Sequence, residues 1–152
     1  MQRHLPLFSA FALAHLMAIF VTACGSGVAS QISASITPTQ ATVATGSTVE
    51  FRGDATGPSG LWTFWWVQES SDLHPDDPSK YCWFLTVQDA SFTNCPFGYV
   101  VIGSEDTIPS YATYFAPPTP GTYHVTFQAW FEARNALASG GKTATATVTV
   151  TP

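Results

Sequence analysis

The run TATATVTV, Thr143 to Val150, alternates a small or branched apolar residue with threonine at every step. Successive side chains of an extended strand point to opposite faces, whereas a helix needs its apolar positions three and four residues apart. This run is therefore a strand, with Ala144, Ala146, Val148 and Val150 facing a core and four threonines facing water. TYHVTFQAWF, Thr122 to Phe131, repeats the rhythm. Tyr123, Val125, Phe127, Ala129 and Phe131 are expected inside, and His124, Thr126, Gln128 and Trp130 outside. TVEF (Thr48 to Phe51) and SASI (Ser33 to Ile36) show the period more briefly. Beyond residue 30 no segment carries a helical stripe. FEARNALASGG comes nearest, and its Asn135 and Gly140-Gly141 read better as a hairpin connection.

Turn residues punctuate these runs at Pro38, Gly46, TGPSG (Thr56 to Gly60), HPDDPS (His74 to Ser79) and PPTPG (Pro117 to Gly121). Short alternating strands separated by such turns describe a β-sandwich. SASITPTQATVATGSTVEF resembles the opening two strands of bacterial immunoglobulin-like domains, and YFAPPTPGTYHVTFQA followed by KTATATVTV resembles their closing pair. The resemblance implies an all-β, immunoglobulin-like antiparallel sandwich over residues 32–152. The middle, 69–110, departs from the compact pattern and looks enlarged. Tyr123 follows Gly121 into its strand, where its ring can be buried and its hydroxyl can return to upstream backbone, as in a tyrosine corner. Val125 stands where antibody domains carry a cysteine, so core aromatics must replace that bridge.

The N-terminus obeys different rules. Arg3 and His4 precede an apolar run from Leu5 to Ala23, the layout of a secretory signal. The run is about as long as the ~20 residues of a spanning helix, so a retained anchor is the alternative. Pro6, His15 and the small residues before Cys24 speak against retention. Val21-Thr22-Ala23-Cys24 resembles the lipobox of bacterial lipoproteins. That resemblance implies removal of residues 1–23 as a signal peptide, diacylglyceryl and fatty acyl (palmitate) chains on Cys24, and a short linker over 24–31. Gly25, where an aspartate would resemble an inner-membrane retention signal, points to the outer membrane. From Cys24 onward four basic residues, Arg52, Lys80, Arg134 and Lys142, face ten acids, a formal charge of −6. Such a balance offers nothing to nucleic acid or to anionic head groups, so membrane attachment is expected through lipid.

Two cysteines remain. Cys82 and Cys95 flank WFLTVQDASFTN, and in an oxidising envelope they are the number needed for one disulfide. Free buried thiols are the alternative; zinc would need further cysteine or histidine pairs at ligand spacing.

Chemistry-bearing residues are sparse. No serine elbow, phosphate-cradling loop or dinucleotide fingerprint is present, so no catalytic residue and no cofactor are expected. His74 lies in SSDLHPDDPS beside Asp72, Asp76 and Asp77, and GSEDT (Gly103 to Thr107) is a second acidic loop. Neither has the regular spacing of a calcium loop, and both read as solvated turns rather than metal sites. His124 reads as a surface histidine. Aromatic residues are the marked excess. LWTFWWV (Leu61 to Val67) puts Trp62, Phe64 and Trp66 on one face and Trp65 and Val67 on the other. The rings either pack under the enlarged middle, against Tyr81, Trp83, Phe84, Phe92, Phe97 and Tyr99, or form an exposed platform. Trp130, Trp62 and Trp65 are the candidate ligand surface. The chain is thus expected to be a non-catalytic, lipid-anchored protein of the bacterial envelope with an adhesive, structural or interaction role. The alternative is a carbohydrate-binding module, and an envelope protein or glycan is the expected partner.

Overall fold

Among the residues that the computed structural model describes, 32–69, 81–90, 94–103, 107–131 and 141–152, the two-residue alternation resolves into strands. These are β1 (Ser33–Thr37), β2 (Gln40–Ala44), β3 (Thr48–Thr56), β4 (Leu61–Val67), β5 (Trp83–Phe84), β6 (Tyr99–Ile102), β7 (Ser110–Phe115), β8 (Gly121–Phe131) and β9 (Lys142–Thr151). They form two sheets, β1-β3-β7-β6-β5 and β2-β9-β8-β4. With β1, β3, β7 and β6 on one side and β4, β8 and β9 on the other, the chain has the strand distribution of an immunoglobulin-like sandwich. The fold is all-β, as the alternation predicts.

Two pairings correct the expectation of a purely antiparallel fold: β2 runs parallel to β9, and β5 parallel to β6. The first arises because the chain leaves one sheet at Thr37-Pro38-Thr39 and joins the other without reversing. Proline has no amide to extend the β1 ladder, so the crossover falls there. The second arises in the enlarged middle, where Tyr81–Phe84 lies along the outer edge of β6. A single helical turn, α1 (Val87–Ala90), also departs from the helix-free expectation. Thr86 caps it: Oγ1 accepts from the Asp89 amide at 3.3 Å and donates to the Asp89 carboxylate at 2.7 Å.

The core lies between the sheets. Ile36, Phe51, Val100, Ala112 and Tyr114 meet Trp65, Val67, Val125, Phe127, Ala146 and Val148. Trp65 and Phe127 pack at 4.8 Å between ring centres. Gly53 on β3 makes room for them, because a Cβ there would sit 2.5 Å from the Phe127 ring. The Tyr123 hydroxyl donates to the Thr119 carbonyl at 2.9 Å, the return contact of a tyrosine corner. Val125 is fully buried in the place a disulfide would otherwise fill.

β9 follows its alternation, with Ala146, Val148 and Val150 buried. β8 does not have the wet face expected of it. Thr126, Gln128 and Trp130 are all buried. The reason is their partners on β4: Trp66 stands opposite Thr126, Phe64 opposite Gln128 and Trp62 opposite Trp130. A strand whose outer neighbours are large rings is shielded even on the side away from the core.

Candidate functional site

The outer face of β4 and β8 is the region where the aromatic surplus converges. Phe64 projects away from the core and is met by rings from the enlarged middle. Trp83 approaches edge-on at 5.1 Å, Tyr81 edge-on at 5.8 Å, and Trp66 stacks at 5.9 Å. Such pairs add about 0.5–1.5 kcal/mol each beyond their buried area. The segment Tyr81–Phe84 therefore wraps the free edge of β4 and joins the two sheets at that side. Of the two layouts open to the rings, this is the packed one.

The Cys82–Cys95 disulfide holds that wrap in place, with Cα atoms 5.7 Å apart. Cys82 adopts φ +52°, a left-handed conformation that non-glycine residues take only where the surroundings impose it. Its carbonyl accepts from the Val100 amide at 2.8 Å, and Gly98 N–H returns to the Cys95 carbonyl at 3.1 Å. The next residue back, Phe97, offers its carbonyl to the Tyr114 hydroxyl at 2.7 Å. Burial raises the Tyr114 phenol above its ordinary range, with the charge of Glu69 as a second cause. Tyr99 is raised more mildly by burial alone. Bridge, turn and phenol form one continuous tie between the enlarged middle and the core.

The candidate surface tryptophans fare differently from one another. Trp62 is exposed, at 40%. Trp65 is wholly enclosed, because its position on β4 points into the core, where its Nε1 donates to Ser110 Oγ at 2.8 Å. Trp130 is also buried, across from Trp62, so neither Trp65 nor Trp130 offers a ring to a ligand. The indole N–H groups of Trp83 and Trp130 are enclosed and find no hydrogen-bond partner among the described residues. Three coplanar open rings, the layout a sugar platform needs, are not formed by the described residues.

His124 is more than a plain surface histidine. Its backbone N–H donates to Glu69 Oε2 at 3.1 Å and its Nδ1 pairs with Glu69 Oε1, so one carboxylate closes the 68–69 turn onto β8. Gln68 and Thr145 share the Thr126 hydroxyl beside it. No group of three metal-ligating side chains occurs among the described residues. Cys24, His74, Asp72, Asp76, Asp77 and Phe92 lie outside the described residues, as does most of the Gly103 to Thr107 loop. No helix among the described residues is long and apolar enough to cross a membrane.

No protein-family model matches the chain, and no curated protein matches it. Solved structures do. A chain from the structure describing T cell specificity and activation by the bacterial superantigen toxic shock syndrome toxin-1 is 12% identical, with TM-score 0.47, covering 79% of this chain and 99% of that one. The titin M3 domain is 14% identical, with TM-score 0.42, covering 80% and 98%. A chain from the structure on Dscam isoform specificity is 15% identical, with TM-score 0.39, covering 79% of this chain and 21% of that one. The immunoglobulin-like order of the two sheets is read from their own pairing.

Proposed function

We propose that the protein is a non-catalytic module of the bacterial cell envelope, held to the membrane by lipid on Cys24 and acting as a structural or interaction domain, with the outer membrane as its location. The observation that carries the structural part is the packing of Phe64 beneath Tyr81 and Trp83. It accounts for the inserted aromatics as a second small core rather than as a ligand platform. The anchoring part is supported by Val21-Thr22-Ala23-Cys24 at the end of a signal-like run. Two or more acyl chains make attachment stable without any basic patch. Phase partition in a cloud-point detergent tests it. The wild-type protein enters the detergent phase and Cys24→Ala remains in the aqueous phase; equal partition of both contradicts the reading.

Carbohydrate binding is the second reading, and Trp62 alone favours it. A single exposed ring can stack on one sugar. Glycan-array binding lost in Trp62→Ala supports it, and absence of binding to any glycan removes it.

A further inference from the structure

The polarity of the strands places several exposed apolar residues at one end of the sandwich. Ile32, the first described residue, is buried where the chain enters. A Cβ on Gly57 would lie 3.3 Å from Ile32 and 3.2 Å from Leu61, so the entry point abuts the turn between β3 and β4. β7 begins at this same end, since Ser110 pairs with Gly53, and exposed Ile108 precedes it. β4 also begins here, with Trp62 at its second position. The 57–60 turn, Leu61 and Ile108 line a shallow depression of about 450 Å³, and none of the described residues in its wall is charged. Phe84 stands level with Val101, near the end of the strand that leads to this pole, and exposed Leu85 and Val87 follow it. The opposite end carries the turns at Thr45-Gly46 and Pro117–Pro120, and among the described residues none of the exposed large apolar side chains lies there.

We propose that the end bearing Trp62, the 57–60 turn and Ile108 is a membrane-contact face that rests on the bilayer holding Cys24. The inference rests on the lipid-anchor reading. Eight residue steps separate Cys24 from Ile32, a reach of at most about 29 Å. The eleven residues of β8 span about 37 Å, so the tether is shorter than the domain and the entry end is held nearest the lipid. Tryptophan is at home at the bilayer boundary, where an apolar ring and a polar N–H are both satisfied. With a formal charge of −6 from Cys24 onward, the contact depends on apolar insertion and not on anionic lipid.

The test uses the full lipidated protein in phosphatidylcholine vesicles, with and without dibrominated acyl chains as short-range quenchers. Trp62 is the most exposed of the five tryptophans, so it dominates any quenching. Brominated lipid is expected to quench the wild-type emission, and Trp62→Phe to reduce that quench about twofold or more. Ser59→Trp, a new reporter in the turn, is expected to increase it. Phosphatidylglycerol in the vesicles is expected to change none of these values. Protein that floats with the vesicles but shows no quenching in wild type or Ser59→Trp overturns the contact face and leaves the anchor intact. Protein that fails to float overturns both.

Discussion

The indole Nε1 of Trp65 on β4 donates to Ser110 Oγ on β7 at 2.8 Å, a fully enclosed hydrogen bond that joins one sheet to the other through the core. Both residues are buried to completion, so neither atom can exchange this partner for water. In a sandwich without a disulfide between its sheets, this bond and the rings around it fix how the sheets sit on each other. Ser110→Ala leaves the indole N–H enclosed and unpaired and is expected to lower stability by about 1–3 kcal/mol. Denaturant unfolding reads this as a lower midpoint at unchanged slope. A midpoint equal to wild type contradicts the inter-sheet role.

Gly53 is required by volume. Its missing Cβ is occupied by the Phe127 ring, so Gly53→Ala must displace that ring or the β3 backbone. Overpacking of this kind costs about 1–3 kcal/mol. Phe127→Leu in the same chain is expected to recover part of the loss, a non-additivity that thermal unfolding of the two single variants and the double variant measures.

The disulfide is expected to hold the wrap over β4. Replacing both cysteines by serine removes a constraint on the unfolded chain worth about 3 kcal/mol for a loop of this size. Near-ultraviolet circular dichroism is expected to lose intensity as well, because Tyr81 and Trp83 lose their fixed orientation against Phe64. Unchanged spectra and stability in the double variant would show that the ring cluster holds itself.

Alkaline pH probes Tyr114. Its phenol is raised above the ordinary value of 10.0 chiefly by burial, and it donates to Phe97 while protonated. The unfolded chain therefore releases this proton at lower pH than the folded one. Stability is fully present below about pH 10 and falls as pH rises beyond it. Tyr99 is shifted the same way and adds to the slope. Tyr114→Phe is expected to be less stable at neutral pH, having lost the hydrogen bond, and to show a shallower decline above pH 10. An identical decline would assign the effect elsewhere.

Much of this architecture was legible as period two. β9 and the inner face of β8 follow from alternation alone, because alternate side chains of a strand share one face and β-strands offer no third direction. Tyr123 and its return bond follow from Gly121 and the spacing after it. What alternation could not supply was the state of an outer face. Thr126, Gln128 and Trp130 read as wet because period two names sides and not what covers them. The covering rings of β4 are far away in sequence and become neighbours only through register. LWTFWWV held the clue, since Phe64 and Trp66, on the face away from the core, need shelter of their own. The β2–β9 and β5–β6 pairings were hidden for a related reason: strand direction depends on where a crossover lands. The α1 turn had a local signal in TVQDA, a threonine three residues ahead of an acid, too short to stand out beside the strands.

The sulfur of Cys24 decides the proposed function, and intact-mass spectrometry of protein purified from its native membrane addresses it directly. The expected species begins at Cys24, carries diacylglyceryl and fatty acyl mass at that residue, and is two hydrogens lighter than its reduced chain because of the Cys82–Cys95 bond. A chain that begins at Met1 with no acyl mass contradicts the anchor, the envelope location and the membrane-facing end together.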